Sequence, residues 1–111
     1  IERAKLAIVQ PEMGHTGITN FVRIGQLAEA HGIELIPHAT VGAGLFLAAS
    51  LQAASTLRPV TGHEFQHSVF EPNRRLLESG MECAAGVYTP PGGPGLGAAP
   101  SEEALAGLEE I

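Results

Sequence analysis

Residues 63–67 read HEFQH, which matches the H-E-x-x-H pattern of zinc proteases. That chemistry needs both histidines on one face of a helix, with the glutamate as general base. The segment 59–72 is bounded by prolines and rich in residues that disfavour helices, so an extended strand is expected instead. Side chains alternate along a strand, which puts His63 and His67 on one face and Glu64 on the other. The pattern therefore predicts surface histidines beside a strand end rather than a zinc protease.

Glu64 is one of three chemically reactive side chains that lie at the ends of short apolar segments. Residues 6–10 (LAIVQ) are followed by Pro11 and Glu12, and residues 33–38 (IELIPH) end in His38. Parallel strands joined by helices bring their carboxyl ends to one face, where barrel enzymes carry their chemistry. A carboxylate beside a histidine fixes its tautomer and favours its use as a general acid or base. Glu12, His38 and Glu64 are thus candidate catalytic residues, although each taken alone has an ordinary structural explanation.

The elements that must position these residues alternate along the first 65 residues as β-α-β-α-β, the third strand being expected over Val60–Phe65. A first helix, capped by Thr19, is expected to end at Gly32. A second helix is expected over 43–56, and because it is apolar nearly all round, it is predicted to be buried on more than one side. The first helix is expected to face the core with Phe21, Ile24, Leu27 and Ala28. This order indicates parallel strands covered by helices, in a doubly wound sheet or part of a barrel.

The remainder of the chain has a different character. Residues 76–78 and 81–83 predict a β-hairpin around Ser79-Gly80, and residues 89–97 (TPPGGPGLG) predict a loop without regular structure. Ser101 is expected to cap a short final helix that carries Glu102 and Glu103 in its first turn.

Composition narrows the classes of partner. The chain has 111 residues, 44% of them hydrophobic and 16% charged, which is typical of a globular domain. A net charge of −6 with six Lys plus Arg disfavours nucleic acid and anionic membranes. The apolar stretch 41–51 is about half of the roughly 20 residues that a membrane span needs. The single cysteine, Cys83, fits a reducing compartment, so a cytoplasmic location is expected. Because the chain starts at Ile1, processing or a larger parent protein is expected.

Several stretches together resemble a known family over nearly the whole chain. They resemble the C-terminal portion of the enolase superfamily, and within it the mandelate racemase-like group that includes acid-sugar dehydratases. The stretches are QPEMGHTGIT (10–19), LAEAHG (27–32), IPH (36–38), LAASL (47–51) and PGLG (94–97).

The resemblance implies a (β/α)7β barrel of which this chain supplies strands six to eight. Residues 1–70 would hold those strands and their helices, and residues 71–111 would return toward a capping domain. In the family an acid ending strand six pairs with a histidine ending strand seven, and a glutamate ending strand eight binds the substrate or its enolate. Glu12, His38 and Glu64 match these positions. The Mg2+ ligands of the family lie on strands three to five, so the resemblance implies Mg2+ held outside this chain.

The function implied by the resemblance is Mg2+-assisted removal of the proton α to a carboxylate of a sugar acid, followed by loss of water. His38 would be the general acid or base, with Glu12 orienting it and Glu64 contacting the substrate. Racemisation or epimerisation of a 2-hydroxy acid is the alternative reaction. A non-catalytic, acid-binding homologue is a third hypothesis, because the family usually has aspartate where this chain has Glu12. The partners expected are a small carboxylate, the remaining barrel and further copies of the protein.

Overall fold

A computed structural model describes residues 5–39, 42, 44–78 and 80–107. The elements in chain order are β1 (Ile8–Val9), α1 (Met13–Ala30), β2 (Glu34–Leu35), α2 (Leu45–Ala54), α3 (His67–Arg75), β3 (Glu82–Ala84), β4 (Val87–Thr89) and α4 (Glu102–Ala106).

The first half forms a small parallel sheet covered by helices. β1 and β2 pair in parallel, with Ile8 opposite Glu34 and Val9 opposite Leu35. Next to β2, the strand predicted over Val60–Phe65 is reduced to one parallel bridge between Leu35 and Val60. The prediction of a full third strand is therefore wrong in extent, although the segment lies where a parallel third strand would lie.

α1 begins earlier than predicted and contains a break. Its first turn runs from Met13, and Gly17 then departs from helical geometry with φ 64° and ψ 168° before the helix resumes. Thr19 consequently lies inside the helix and does not cap it. Phe21 and Ala28 are buried as predicted, but Leu27 is 46% exposed, contrary to the expectation. α1 ends at Ala30, ahead of Gly32, as the sequence indicates.

α2 is the central element of the core and is buried on two sides, as its apolar sequence predicts. One side packs into a cluster with α1 and β2, formed by Met13, Phe21, Leu35, Ala49, Ala53 and Ala54. The other side packs into a cluster with the second half of the chain, formed by Leu47, Leu51, Phe70, Leu77 and Met81. Burial of apolar surface on both faces of one short helix thus links the two halves of the chain.

The second half differs from the prediction in two places. Residues 67–75 form α3 in spite of Pro72, because the packing of Phe70 in the second cluster outweighs poor local propensity. The hairpin lies further along the chain than predicted and joins β3 to β4 through Ala85 and Gly86, both with positive φ. Two such residues suit the tight turn of a two-residue hairpin loop. Ser79, in the predicted turn, lies outside the described residues.

The loop over 89–97 and the last helix follow the prediction. Thr89 ends β4, and residues 90–97 form neither helix nor strand. The Gln52 side chain of α2 anchors this loop by donating to the carbonyl oxygens of Pro91 (2.7 Å) and Leu96 (3.2 Å). Ser101 caps α4 by accepting a hydrogen bond from the Ala104 amide. Across the described ranges, none of the helices combines the length and the apolar character that crossing a membrane would require.

We expect Gly44→Ala to destabilise the fold where α2 meets α3. Gly44 precedes α2 with φ 77°, and a Cβ there would lie 2.7 Å from the backbone oxygen of Asn73. The left-handed conformation alone costs a non-glycine residue about 1–2 kcal/mol, and the contact adds to that cost. Denaturant unfolding should show a lower midpoint for Gly44→Ala than for Gly62→Ala, since a Cβ at Gly62 meets nothing within 4 Å. Equal midpoints for both variants would contradict this packing.

Candidate active site

The parallel backbone pairing continues beyond β1 and β2 to the two chemically important strand ends. The Ile36 amide donates to the carbonyl oxygen of Val9 at 3.1 Å, and the His38 amide donates to that of Pro11 at 3.1 Å. This ladder carries the residue after Pro11, which is Glu12, alongside His38. A loop without such pairing would leave the two side chains free to diverge.

Glu64 joins the same edge from the other side. Its amide donates to the carbonyl oxygen of Pro37 at 3.0 Å, and its carboxylate Oε2 accepts from the Ala39 amide at 2.9 Å. The Glu64 backbone and side chain are therefore both tied to the segment that carries His38.

The imidazole of His38 lies between two carboxylates. Its Nδ1 is 3.8 Å from Glu12 Oε2, and its Nε2 is 3.7 Å from Glu64 Oε2. These separations exceed hydrogen-bond length, so the contacts are electrostatic in this conformation and allow tightening around a ligand. A proton on either ring nitrogen faces a carboxylate oxygen. With 51% of its side chain exposed, His38 remains open to a small molecule.

Glu12 has a second histidine neighbour that sequence reasoning missed. His15 Nε2 lies 3.3 Å from the same Oε2 that faces His38, with 83% of the His15 side chain exposed. Glu12 is the N-cap residue of α1, and its backbone oxygen accepts a hydrogen bond from the Thr16 hydroxyl at 2.8 Å. The spacing from Glu12 to His15 is one helical turn, which would have indicated the contact had α1 been predicted to start at Met13.

An aromatic side chain lies next to Glu12. A Cβ on Gly14 would lie 3.0 Å from a ring carbon of Phe46 and 3.3 Å from Glu12 Oε1. Phe46 is 44% exposed, so it presents an apolar face to solvent beside the carboxylate. This pairing of an apolar surface with charged groups is common in small-molecule sites.

His63 is not the surface histidine that the sequence predicted. Its Nε2 lies 2.9 Å from Ser50 Oγ, and its Nδ1 lies 3.0 Å from the backbone oxygen of Glu64. Burial lowers the pKa of His63 below its usual 6.5, against smaller opposing effects of its backbone hydrogen bond and of the Glu64 charge. The clue in the sequence was Ser50, a polar residue in a mostly apolar helix, which needs a hydrogen-bond partner when buried.

The HEFQH segment does not form the helix that a zinc site requires. α3 begins only at His67, which is exposed, whereas His63 lies before the helix and points toward α2. In the described parts of the chain, no three or more His, Cys, Asp or Glu residues are grouped so that they could hold a metal ion. The carboxylates of Glu12 and Glu64 face opposite nitrogens of His38 and do not share a metal position. These residues therefore do not fit a Mg2+ site of their own.

Acid and base side chains at the ends of parallel segments, with helices as crossovers, lie where α/β-barrel enzymes place their chemistry. The chain belongs to the enolase superfamily, since it matches the family described as enolase C-terminal domain-like over residues 1–104. The predicted family and the predicted fold class, the C-terminal part of the barrel, are both confirmed.

Solved structures give the same result. A member of the enolase superfamily from Agrobacterium tumefaciens is 69% identical, with a TM-score of 0.96 over 99% of this chain. A candidate isomerase from Sinorhizobium meliloti is 64% identical, with a TM-score of 0.91 over 95% of this chain. A candidate dehydratase from Mesorhizobium loti is 27% identical, with a TM-score of 0.77 over 90% of this chain.

A curated relative adds a named reaction. The D-galactarolactone cycloisomerase of Agrobacterium fabrum is 34% identical over 109 residues, covering 88% of this chain. The chain spans 28% of the length of that relative, and 28%, 28% and 27% of the three solved structures.

We expect His63 to make stability depend on pH. Because its folded pKa lies below its usual 6.5, the unfolded chain binds a proton at higher pH than the folded one. The stabilisation is fully present above about pH 6.5 and is lost as the pH falls through the folded pKa. Melting temperatures measured from pH 8 to pH 5 should fall less steeply for His63→Gln than for the wild type. His67→Gln is the matched control and should retain the wild-type slope; identical slopes for all three would contradict the burial of His63.

Proposed function

We propose that this chain supplies the acid–base edge of an enzyme that eliminates a β-oxygen from a sugar acid. The observation that carries the proposal is the position of His38 between the carboxylates of Glu12 and Glu64. An imidazole held this way can exchange a proton with a reacting oxygen near neutral pH. Membership of the enolase superfamily supports an enzymatic role, and its relatives carry isomerase and dehydratase names.

In the dehydratase form of the proposal, the proton α to the substrate carboxylate is removed, and the electron pair of the broken carbon–hydrogen bond forms a double bond between the α- and β-carbons. The bond between the β-carbon and its hydroxyl oxygen breaks, and His38 delivers a proton to that oxygen so that water leaves. Glu12 holds the Nδ1 side of His38, and Glu64 contacts the substrate on the Nε2 side. The enol that results becomes a 2-keto acid by tautomerisation. The group that removes the α-proton would lie outside this chain.

A lactone is the second candidate substrate, favoured by the curated cycloisomerase and by the 64% identity to a candidate isomerase. The same removal of the α-proton would then expel the ring oxygen as a carboxylate and open the lactone. A carboxylic acid has a pKa of about 4, so its carboxylate leaves without a proton. Water has a pKa of about 15.7, so hydroxide does not leave unless it is protonated. Racemisation or epimerisation at the α-carbon remains the alternative that involves no leaving group.

Mg2+ remains part of the proposal as the superfamily implies, with ligands expected outside this chain. The remaining barrel strands are proposed to come from the rest of the same protein. In support, the described β1 pairs on one side only, with β2, and its residue Ile8 is 44% exposed. An unpaired parallel edge with an apolar side chain is suited to pairing with another strand. Assembly into a homo-oligomer stays a prediction.

We expect His38→Gln in the full-length protein to separate the two substrate classes. Loss of the proton donor should lower kcat about 10²- to 10⁴-fold on a sugar acid that loses water. Ring opening of a sugar-acid lactone should fall far less, because its leaving group needs no proton. Equal large losses on both substrates would assign His38 to removal of the α-proton instead. His31→Gln, exposed at the end of α1, is the control and should match the wild type.

We expect the isolated 111-residue chain to show no turnover of sugar acids or lactones, with or without Mg2+. Its described residues form no group of metal ligands, and the α-proton acceptor lies outside it. The full-length protein, assayed beside it against a panel of acid sugars and lactones with Mg2+, should be active. Turnover by the isolated chain would refute the division of roles, and binding without turnover by the full-length protein would favour the non-catalytic hypothesis.

A further inference from the structure

The backbone oxygen of Glu64 accepts hydrogen bonds from two side chains that come from different parts of the fold. His63 Nδ1 lies 3.0 Å from it, and the hydroxyl of Tyr88 in β4 donates to it at 3.3 Å. A carbonyl oxygen can only accept, so the hydrogen of the neutral His63 ring is on Nδ1. The other nitrogen, Nε2, is then free to accept.

Ser50 supplies the donor for that nitrogen. Its Oγ lies 2.9 Å from His63 Nε2, and Ser50 is 0% exposed in the middle of α2. The hydroxyl–imidazole pair resembles the start of a nucleophilic site, but full burial keeps a substrate away from Ser50. The chain of hydrogen bonds instead runs from α2 through His63 to the Glu64 carbonyl.

These contacts complete the fixation of Glu64. The Glu64 amide is held by the Pro37 carbonyl oxygen, and the carboxylate Oε2 is held by the Ala39 amide. Both backbone polar groups of Glu64 are thus engaged, which fixes the point from which its side chain starts, and the Ala39 bond restrains the side-chain torsions. That carboxylate is the one that lies 3.7 Å from His38 Nε2.

We propose that Ser50, His63 and Tyr88 form a carbonyl clamp, a set of positioning residues that holds the Glu64 carboxylate against His38. The role of the clamp in catalysis rests on the proposed function, in which Glu64 contacts the substrate. The clamp itself is defined by the geometry and connects the core helix α2 and the hairpin strand β4 to the catalytic edge.

The environment of the clamp keeps its donors in the required state. Burial, with Cys83 and Glu64 adding to it, raises the pKa of Tyr88 to about 12, which widens the pH range over which its hydroxyl keeps its hydrogen. The Tyr88 ring also packs against His63, with ring centroids 5.3 Å apart, and against Phe65 and Phe70. Such edge contacts between rings hold both donors in place.

The clamp is tested first by amide hydrogen exchange at Ala39 in the full-length protein, which needs no substrate. Ser50→Ala removes the donor to His63, and Tyr88→Phe removes the second donor while keeping the ring. Each substitution should speed exchange of the Ala39 amide by about two- to tenfold. Removing a single hydrogen bond that restrains the acceptor residue, Glu64, is expected to weaken the protection of that amide by this factor. Ser55→Ala is the matched control, because its hydroxyl bonds only to the Gln52 carbonyl at the exposed end of α2.

Unchanged Ala39 exchange in Ser50→Ala and Tyr88→Phe would overturn the clamp whatever the reaction proves to be. Thermal unfolding checks that both variants are folded. If only one of them folds, the Ala39 exchange of that variant alone decides the test.

Kinetics then tests the catalytic role of the clamp. In the full-length protein, Ser50→Ala should lower kcat about tenfold when Glu64 is present and should have no further effect in a Glu64→Gln background, because residues of one hydrogen-bond network that act as a unit are not additive. A full additional tenfold loss in the Glu64→Gln background would show that Ser50 acts by another route. If no sugar acid or lactone is turned over, the proposed function fails while the Ala39 measurement still decides the clamp.

Discussion

The backbone ladder that runs past the assigned ends of β1 and β2 is the constraint on which the site depends. The amide of His38 bonds to Pro11, and the amide of Glu64 bonds to Pro37, so each chemically important residue is fixed by its neighbour on the sheet. Prolines lack an amide hydrogen but keep their carbonyl oxygen, and here those oxygens are the acceptors. The strand-end prolines therefore terminate regular pairing while still determining where the acid and base side chains stand.

The ladder is supported by α2, which packs against β2 in the apolar cluster that contains Leu35. Because both of its faces are buried, α2 connects the parallel segments to the hairpin and to the loop over 89–97. Its buried Ser50 extends that connection to the backbone of Glu64 through His63. The same helix thus contributes apolar burial to the core and one polar contact to the edge that carries Glu64, and a change in either can reach the site.

The sequence was sufficient for the features that follow from periodicity and strand ends. Parallel pairing and the neighbouring positions of Glu12, His38 and Glu64 follow from the ends of short apolar runs. The helices α1 and α2 follow from helical spacing and from continuous apolar character. The catalytic roles of these residues, and the division of the chain near residue 70, stay predictions. The resemblance to the enolase superfamily supplied what periodicity could not, namely the barrel.

Two of the errors originate in tertiary contacts that override local preference, and one originates in a misplaced helix start. α3 forms across Pro72 because Phe70 enters the core. Residues 76–78 pair with residues 99–101 and not with 81–83, through an antiparallel bridge between Leu77 and Pro100 and a hydrogen bond from the Glu78 amide to the Ala99 carbonyl oxygen. His63 reads as a surface residue until Ser50 is brought beside it from α2. His15 meets Glu12 only because α1 starts at Met13. The contacts of Phe70 and Ser50 have no signature within a single local segment, whereas the Glu12–His15 pair is local and depends on where α1 starts.

The central claim is that His38, held between two carboxylates, is the group that exchanges a proton with the substrate. A crystal structure of the full-length protein with an unreactive sugar-acid analogue would test it most directly. We expect the β-oxygen of the analogue within hydrogen-bond distance of a His38 ring nitrogen, and Glu64 in contact with the same ligand. An analogue bound at this face with its β-oxygen away from His38, or bound elsewhere, would contradict the claim.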